Sequence, residues 1–225
     1  MTSTSPILWK PCWRIIPSRF PPIQLFERVA DPADLEAIIA LEAMTNPRLR
    51  DEIGEIQLVP PEERIAGPGT SVIMAAFTHL NPAGSRFSDG SYGVYYAGIT
   101  LETAIKETIH HREAFMRATN QPRMELDQRV YLADLDAALH DIRGRRGEQP
   151  GLYDAESYGA AQSFARALRE AGSSGVVYDS VRHEGGECAA VFRPKALSHC
   201  RQEKHLCFVW DGARVSEVYE KRWLG

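Results

Sequence analysis

The sequence predicts an α+β fold, a core of mixed short strands with flanking helices. Three observations carry that reading. Short apolar or aromatic runs recur at GVYYAGI (93–99), RVYLADL (129–135), GVVYDSV (175–181) and ECAAVF (187–192), each with the length and composition of a strand. Helical periodicity is scattered among them rather than alternating strictly with them. No G-x-G-x-x-G follows any strand, so the doubly wound dinucleotide-binding class has no support.

The elements follow in order. Residues 1–24 are rich in proline and aromatics, and Pro21 and Pro22 prevent PSRFPPIQLF (17–26) from being helical throughout. Asp31 is a good N-cap, Pro32 suits the first helical position, and Leu35, Ile38, Ile39 and Ala43 follow at helical spacing. A helix over 32–45 is expected, ended by Asn46-Pro47. A loop-rich stretch with Pro60, Pro61 and Pro68 leads to a short buried helix at 71–80. Thr100 caps a second helix from Leu101 to about Ala118, with Leu101, Ala104, Ile105 and Ile109 on its apolar face. Residues 140–152 read as a loop. The next helix spans 157–171, with Ala161, Phe164, Ala165 and Leu168 on one face and Gly172 at its C-terminal cap. HLCFVW and RVSEVYE flank Asp211-Gly212, a hairpin signal at about 205–220. The whole chain, 1–225, reads as a single domain carrying a helical insertion at about 24–80.

Composition narrows the function classes. The 225 residues are 44% hydrophobic and 25% charged, with a formal net charge of -4, which gives a real core and no basic stripe for a nucleic-acid backbone. No apolar run approaches the roughly 20 residues that span a bilayer, and a cytoplasmic location is expected. Cys12, Cys188, Cys200 and Cys207 include no C-x-x-C pair, which points to free thiols rather than a disulfide framework. The run His199, Cys200, His205, Cys207 matches no zinc spacing, so no metal is expected. No cysteine opens a helix in a way that would activate it as a hydrolase nucleophile.

Two segments carry candidate chemistry. In GSRFSDGSYGVYYAGITLETAIKE (84–107), small residues surround Arg86, whose planar fork suits phosphate oxygens. One of Tyr95 and Tyr96 must face inward, because strand side chains alternate. The following helix puts Thr103, Glu107 and His111 on one stripe. In GVVYDSVRHEGGECAAVFRP (175–194), Ser180 and Arg182 sit at the end of an apolar strand before a glycine-rich turn. Each of these side chains alone also suits an ordinary surface or core position. Their combination is what points to a site.

Together the segments resemble the RES domain, named for its Arg, Glu and Ser. Its first block resembles GSRF, VYYAGI and TLETAIKE here, and its second resembles VVYDSVRHEGGECAAVF. The opening WRIIPSRF is similar to the family's N-terminal start. The resemblance implies Arg86, Tyr96, Glu107 and Ser180 as the site, with Arg14 and Arg182 as further contacts to substrate. Tyr96 is preferred to Tyr95 because it stands eleven residues before Glu107, the family's spacing. Phe87 stands for the usual Trp, Ser85 for a Gly, and Cys188 for an Asn common in the family.

The resemblance implies an ADP-ribosyltransferase-like fold and the toxin of a toxin–antitoxin module, paired with an Xre-type antitoxin. The substrate it implies is NAD+, broken at the nicotinamide–ribose bond. Glu107 would stabilise the oxocarbenium-like ribose, Tyr96 stack on nicotinamide, Arg86 clamp the pyrophosphate, and Ser180 bond the ribose or carboxamide. The insertion favours a protein acceptor, making the chain a mono-ADP-ribosyltransferase. Water or phosphate as acceptor would make it a glycohydrolase or phosphorylase that depletes NAD+. The remaining alternative is a non-enzymatic partner-binding module.

Overall fold

A computed structural model describes residues 3–18 and 54–222, together with the single positions 27 and 37. The helix expected over 32–45 lies outside the described residues. The elements are β1 (Thr4–Pro17), α1 (Thr70–Thr78), β2 (Tyr95–Gly98), α2 (Leu101–Ala118), β3 (Met124–Asp141), α3 (Gly159–Glu170), β4 (Gly175–Asp179), β5 (Glu187–Val191), β6 (Leu197–Trp210) and β7 (Val215–Lys221). This is the α+β class the sequence predicts.

The seven strands form one mixed sheet in the order β1-β2-β5-β4-β3-β6-β7, with β1 pairing also to β3. Strands β1, β2, β5, β4 and β3 therefore close into a ring. The closure depends on the length of β3. It pairs with β1 from Gln128 to His140, with β6 from Met124 to Leu135, and in parallel with β4 at His140 and Asp141. Only 129–135 carries a local strand signal; the ends are extended because their backbone groups find partners in distant strands. The expected loop at 140–152 thus starts later, and it ends in a 3-10 turn at Pro150–Tyr153.

The proline- and aromatic-rich N-terminus, for which the sequence predicts no element, forms β1. Pro6, Pro11 and Pro17 mask a strand of 14 residues. Pro11 falls where the register with β3 shifts, between Trp9 and Cys12, and a bulge is where a strand tolerates a residue with no N–H to donate.

Both faces of the ring are covered, and side-chain alternation splits its core in two. Tyr95, Ala97, Val177, Ala189 and Val191 belong to one cluster with Ile73, Met74 and Phe77 of α1. Val176, Tyr178, Cys188 and Ala190 face the other way, onto Ala161 and Ala165 of α3, and Tyr96 packs against that second cluster. The alternation expected of Tyr95 and Tyr96 holds: Tyr95 is wholly buried in the first cluster, and Tyr96 points the other way and is partly buried against the second. Ile73 and Met74 are wholly buried, and full burial of a large apolar side chain stabilises by about 1.5–3 kcal/mol.

α2 crosses a third cluster, where Leu101, Ile105 and Ile109 pack near Val130, Leu206 and Phe208. Its start is fixed as the sequence predicts, with the Thr100 hydroxyl accepting from the Thr103 N–H at 3.2 Å. Gly172 ends α3 in a left-handed conformation, φ +84°, as expected of a C-terminal cap. The hairpin of β6 and β7 turns at residues 211–214, where the Asp211 carboxylate accepts from the Ala213 and Arg214 N–H groups.

Candidate active site

The 180–186 turn, just beyond the end of β4, lies against one stripe of α2. Three side-chain contacts fasten it there. Ser180 Oγ donates to Glu107 Oε1 at 2.5 Å, His183 Nδ1 meets Thr103 Oγ1 at 3.0 Å, and Arg182 Nη2 donates to His110 Nε2 at 2.8 Å. Positions 103, 107 and 110 follow helical i, i+4, i+7 spacing. The stripe expected from sequence ended on His111 instead; His111 is exposed, and His110 is the histidine that reaches the turn. Burial and the facing Arg182 guanidinium push the His110 pKa down, which favours the neutral ring that accepts from Arg182.

The Ser180 hydroxyl is fully committed. It is buried at 2% exposure. Its oxygen accepts from the Arg182 and His183 N–H groups at 3.1 and 2.9 Å. A serine hydroxyl offers two lone pairs and one proton, so that proton is directed at Glu107. The Cys188 thiol adds a second donor to the same carboxylate oxygen, at 3.7 Å. Burial, then the Glu107 charge, raises that thiol well above its usual range and keeps the proton on sulfur. In the sequence Cys188 stands out only as a departure from the family; its place beside Glu107 follows from β5.

Arg86 and Arg182 converge on one loop from opposite ends. Arg86 Nη1 donates to the Leu152 and Asp154 carbonyls at 3.1 and 2.8 Å, and its guanidinium lies 4.7 Å from the Tyr158 ring centroid. Arg182 Nη2 donates to the Ala155 carbonyl at 2.5 Å. A third arginine, Arg146, donates to the Ser180 carbonyl at 2.9 Å. Neither the 152–155 segment nor Arg146 carries a motif, and both join the site only through the fold.

Tyr96 supports the Arg86 turn from behind. Its hydroxyl meets Ser85 Oγ at 2.8 Å and accepts from the Phe87 N–H at 2.9 Å, so both neighbours of Arg86 hang on one phenol. Burial pushes that phenol's pKa far up. Phe87 is wholly buried, edge-on to Tyr178 with centroids 4.9 Å apart. Tyr96→Phe orphans the Phe87 N–H and is expected to lower stability by about 1–3 kcal/mol. Urea unfolding would measure it; an unchanged midpoint would remove the hydroxyl from this role.

The structure does not bring Arg14 to the Glu107 group through any hydrogen bond. Arg14 Nη1 donates to the Tyr96 carbonyl at 3.0 Å, and its guanidinium lies 4.5 Å from the ring centroid of Tyr95, on the other core. The four cysteines are buried, and burial pushes the Cys12 and Cys200 thiols up to about 12 and about 11, which weighs against a thiolate nucleophile. His199 and His205 pair with Asp134 and Gln202, and among the described residues no three His, Cys, Asp or Glu side chains are grouped to hold a metal. No helix among the described residues is long and apolar enough to cross a membrane.

One family model covers both motif blocks. The model of the RES domain family matches residues 61–211. The uncharacterized protein y4oC of Sinorhizobium fredii is similar over 208 residues at 31% identity, covering 92% of this chain and 86% of that protein. Among solved structures, a chain of the M. tuberculosis MbcT–MbcA toxin–antitoxin complex aligns with a TM-score of 0.43 at 10% identity, over 89% of this chain and 87% of that one.

Proposed function

The chain belongs to the RES domain family, and from that premise we propose that it is a toxin of a toxin–antitoxin module that cleaves the nicotinamide–ribose bond of NAD+. The observation that carries the reading is the Glu107–Ser180 pair, a carboxylate held by a hydroxyl whose own lone pairs are filled.

Nicotinamide is cationic while bonded to the ribose and departs as a neutral base with the bonding electron pair, so the positive charge passes to an oxocarbenium-like ribose. An oriented carboxylate meets the developing positive charge without reorganising at the moment of reaction. Ser180 orients that carboxylate and offers no free lone pair as a nucleophile. Arg86 and Arg182 put positive charge on both sides of the 152–155 loop, which suits the diphosphate of NAD+. Tyr96 holds the Arg86 turn in place. These are positioning and electrostatic roles, and the scheme uses no metal.

The acceptor proposed is a protein side chain, which the 24–80 insertion favours over water or phosphate, and the partner proposed is an Xre-type antitoxin that covers the site in the cytoplasm until the toxin is released. Incubation of the purified protein with NAD+ labelled in the adenylate half tests both steps. Free nicotinamide is expected, with label on a protein band when lysate is present. Label only in small products assigns water or phosphate as acceptor. No nicotinamide under any of these conditions sinks the enzymatic reading and leaves partner binding.

A further inference from the structure

The 180–186 turn belongs to no helix or strand, yet it holds the one hydroxyl that orients Glu107. Its fixed position has to come from tertiary anchors. The Thr103 hydroxyl is wholly buried, one helical turn before Glu107. Its oxygen lies 2.9 Å from Thr100 Oγ1 and 3.0 Å from His183 Nδ1. His183 Nε2 lies 3.5 Å from Glu102 Oε1 at the exposed edge. The backbone is shaped around this contact. A Cβ at Gly186 would lie 2.7 Å from both His183 Nδ1 and Thr103 Oγ1, and one at Gly98 would lie 3.1 Å from Thr103 Cβ. Glycine at both positions lets the turn and the helix approach closely.

We propose that His183 and Thr103 form a clamp that sets Ser180 against Glu107, making both positioning residues for the reaction. The inference rests on the reading of Glu107 as the catalytic carboxylate. Its logic is local. The His183 N–H fills one lone pair of Ser180 Oγ. When the ring is anchored on Thr103, that N–H is held in place and the Ser180 proton has one direction left. When the anchor is gone, the turn shifts, the hydroxyl rotates, and Glu107 loses its alignment. Arg182 on His110 holds the far side of the same turn, so its loss would leave His183 as the remaining ring contact to α2.

The test is a double-mutant cycle on nicotinamide release from NAD+, with thermal melting as the folding control. Thr103→Val removes the hydroxyl while nearly keeping its shape, and His183→Ala removes the ring. Each is expected to lower kcat about 10-fold with KM within about 2-fold, because small misplacements act on the chemical step. The double variant is expected to be no worse than the poorer single, since both break one contact, and Thr103→Ser is expected to restore kcat. Singles at wild-type kcat, or losses that multiply to about 100-fold, overturn the clamp. If Thr103→Val does not fold, His183→Ala against Thr103→Ser decides the question on the same kcat and KM. Glu107→Gln runs alongside. If it alone loses nicotinamide release, the clamp fails and the carboxylate reading stands; if it retains release, the carboxylate reading itself fails.

Discussion

Glu107→Ala is expected to lower nicotinamide release by about 10³-fold while NAD+ still binds. The magnitude follows from charge and distance. A carboxylate about 4 Å from a developing unit positive charge, at an effective dielectric near 20, contributes about 4 kcal/mol, which is about three decades in rate. Binding should survive, since before cleavage the positive charge sits on nicotinamide rather than on the ribose, and the arginines proposed to meet the diphosphate, Arg86 and Arg182, are anchored on the 152–155 carbonyls. Glu107→Gln sharpens the result. It still accepts from Ser180 Oγ, so the turn stays docked, but it lacks the charge; it should lose rate nearly as fully as the alanine variant. Nicotinamide quantified by chromatography, with NAD+ affinity from calorimetry, separates the two effects. Full turnover by the alanine variant would sink the mechanism.

The sequence made the middle of this fold legible and its edges obscure, for physical reasons. β2, α2, α3, β4 and β5 declare themselves through local period, a threonine cap and glycine punctuation, all encoded within a few residues. β1 does not, because Pro6, Pro11 and Pro17 are poor strand residues, of which Pro11 falls at the bulge and Pro6 and Pro17 lie near the ends of the strand. The ends of β3 are extended only because β1, β4 and β6 arrive there from more than thirty residues away. The site divides the same way. Glu107 and Ser180 were marked by their motifs, and the structure joins them at 2.5 Å. Their supports were not: His110, His183, Arg146 and the 152–155 carbonyls reach the pair through pairings 27–80 residues apart. Helical spacing did point at the stripe, and missed by one position because i+7 from Thr103, not i+8, faces the turn.

Ser180→Ala carries the second large effect, and it discriminates between two roles for the serine. With the hydroxyl gone, the Arg182 and His183 N–H groups both lose their acceptor, and Glu107 Oε1 keeps only the weaker thiol donor of Cys188 at 3.7 Å. Both donors are half-buried, and an orphaned donor costs up to about 1–3 kcal/mol where water cannot replace the partner, so the turn loosens and a lowered melting temperature is expected. The rate of nicotinamide release should fall about 10²-fold, the loss typical of removing one preorganised polar contact. It should remain well above that of Glu107→Ala, because the carboxylate is still present and only its alignment has gone. A nucleophilic Ser180 makes the opposite forecast: an ADP-ribosyl–serine adduct trapped on the wild-type protein, and activity in Ser180→Ala as low as in the glutamate variant. Mass spectrometry of the protein quenched during turnover decides between them. An adduct at Ser180 would overturn the orienting role; an unmodified serine together with residual turnover is the outcome that two filled lone pairs require.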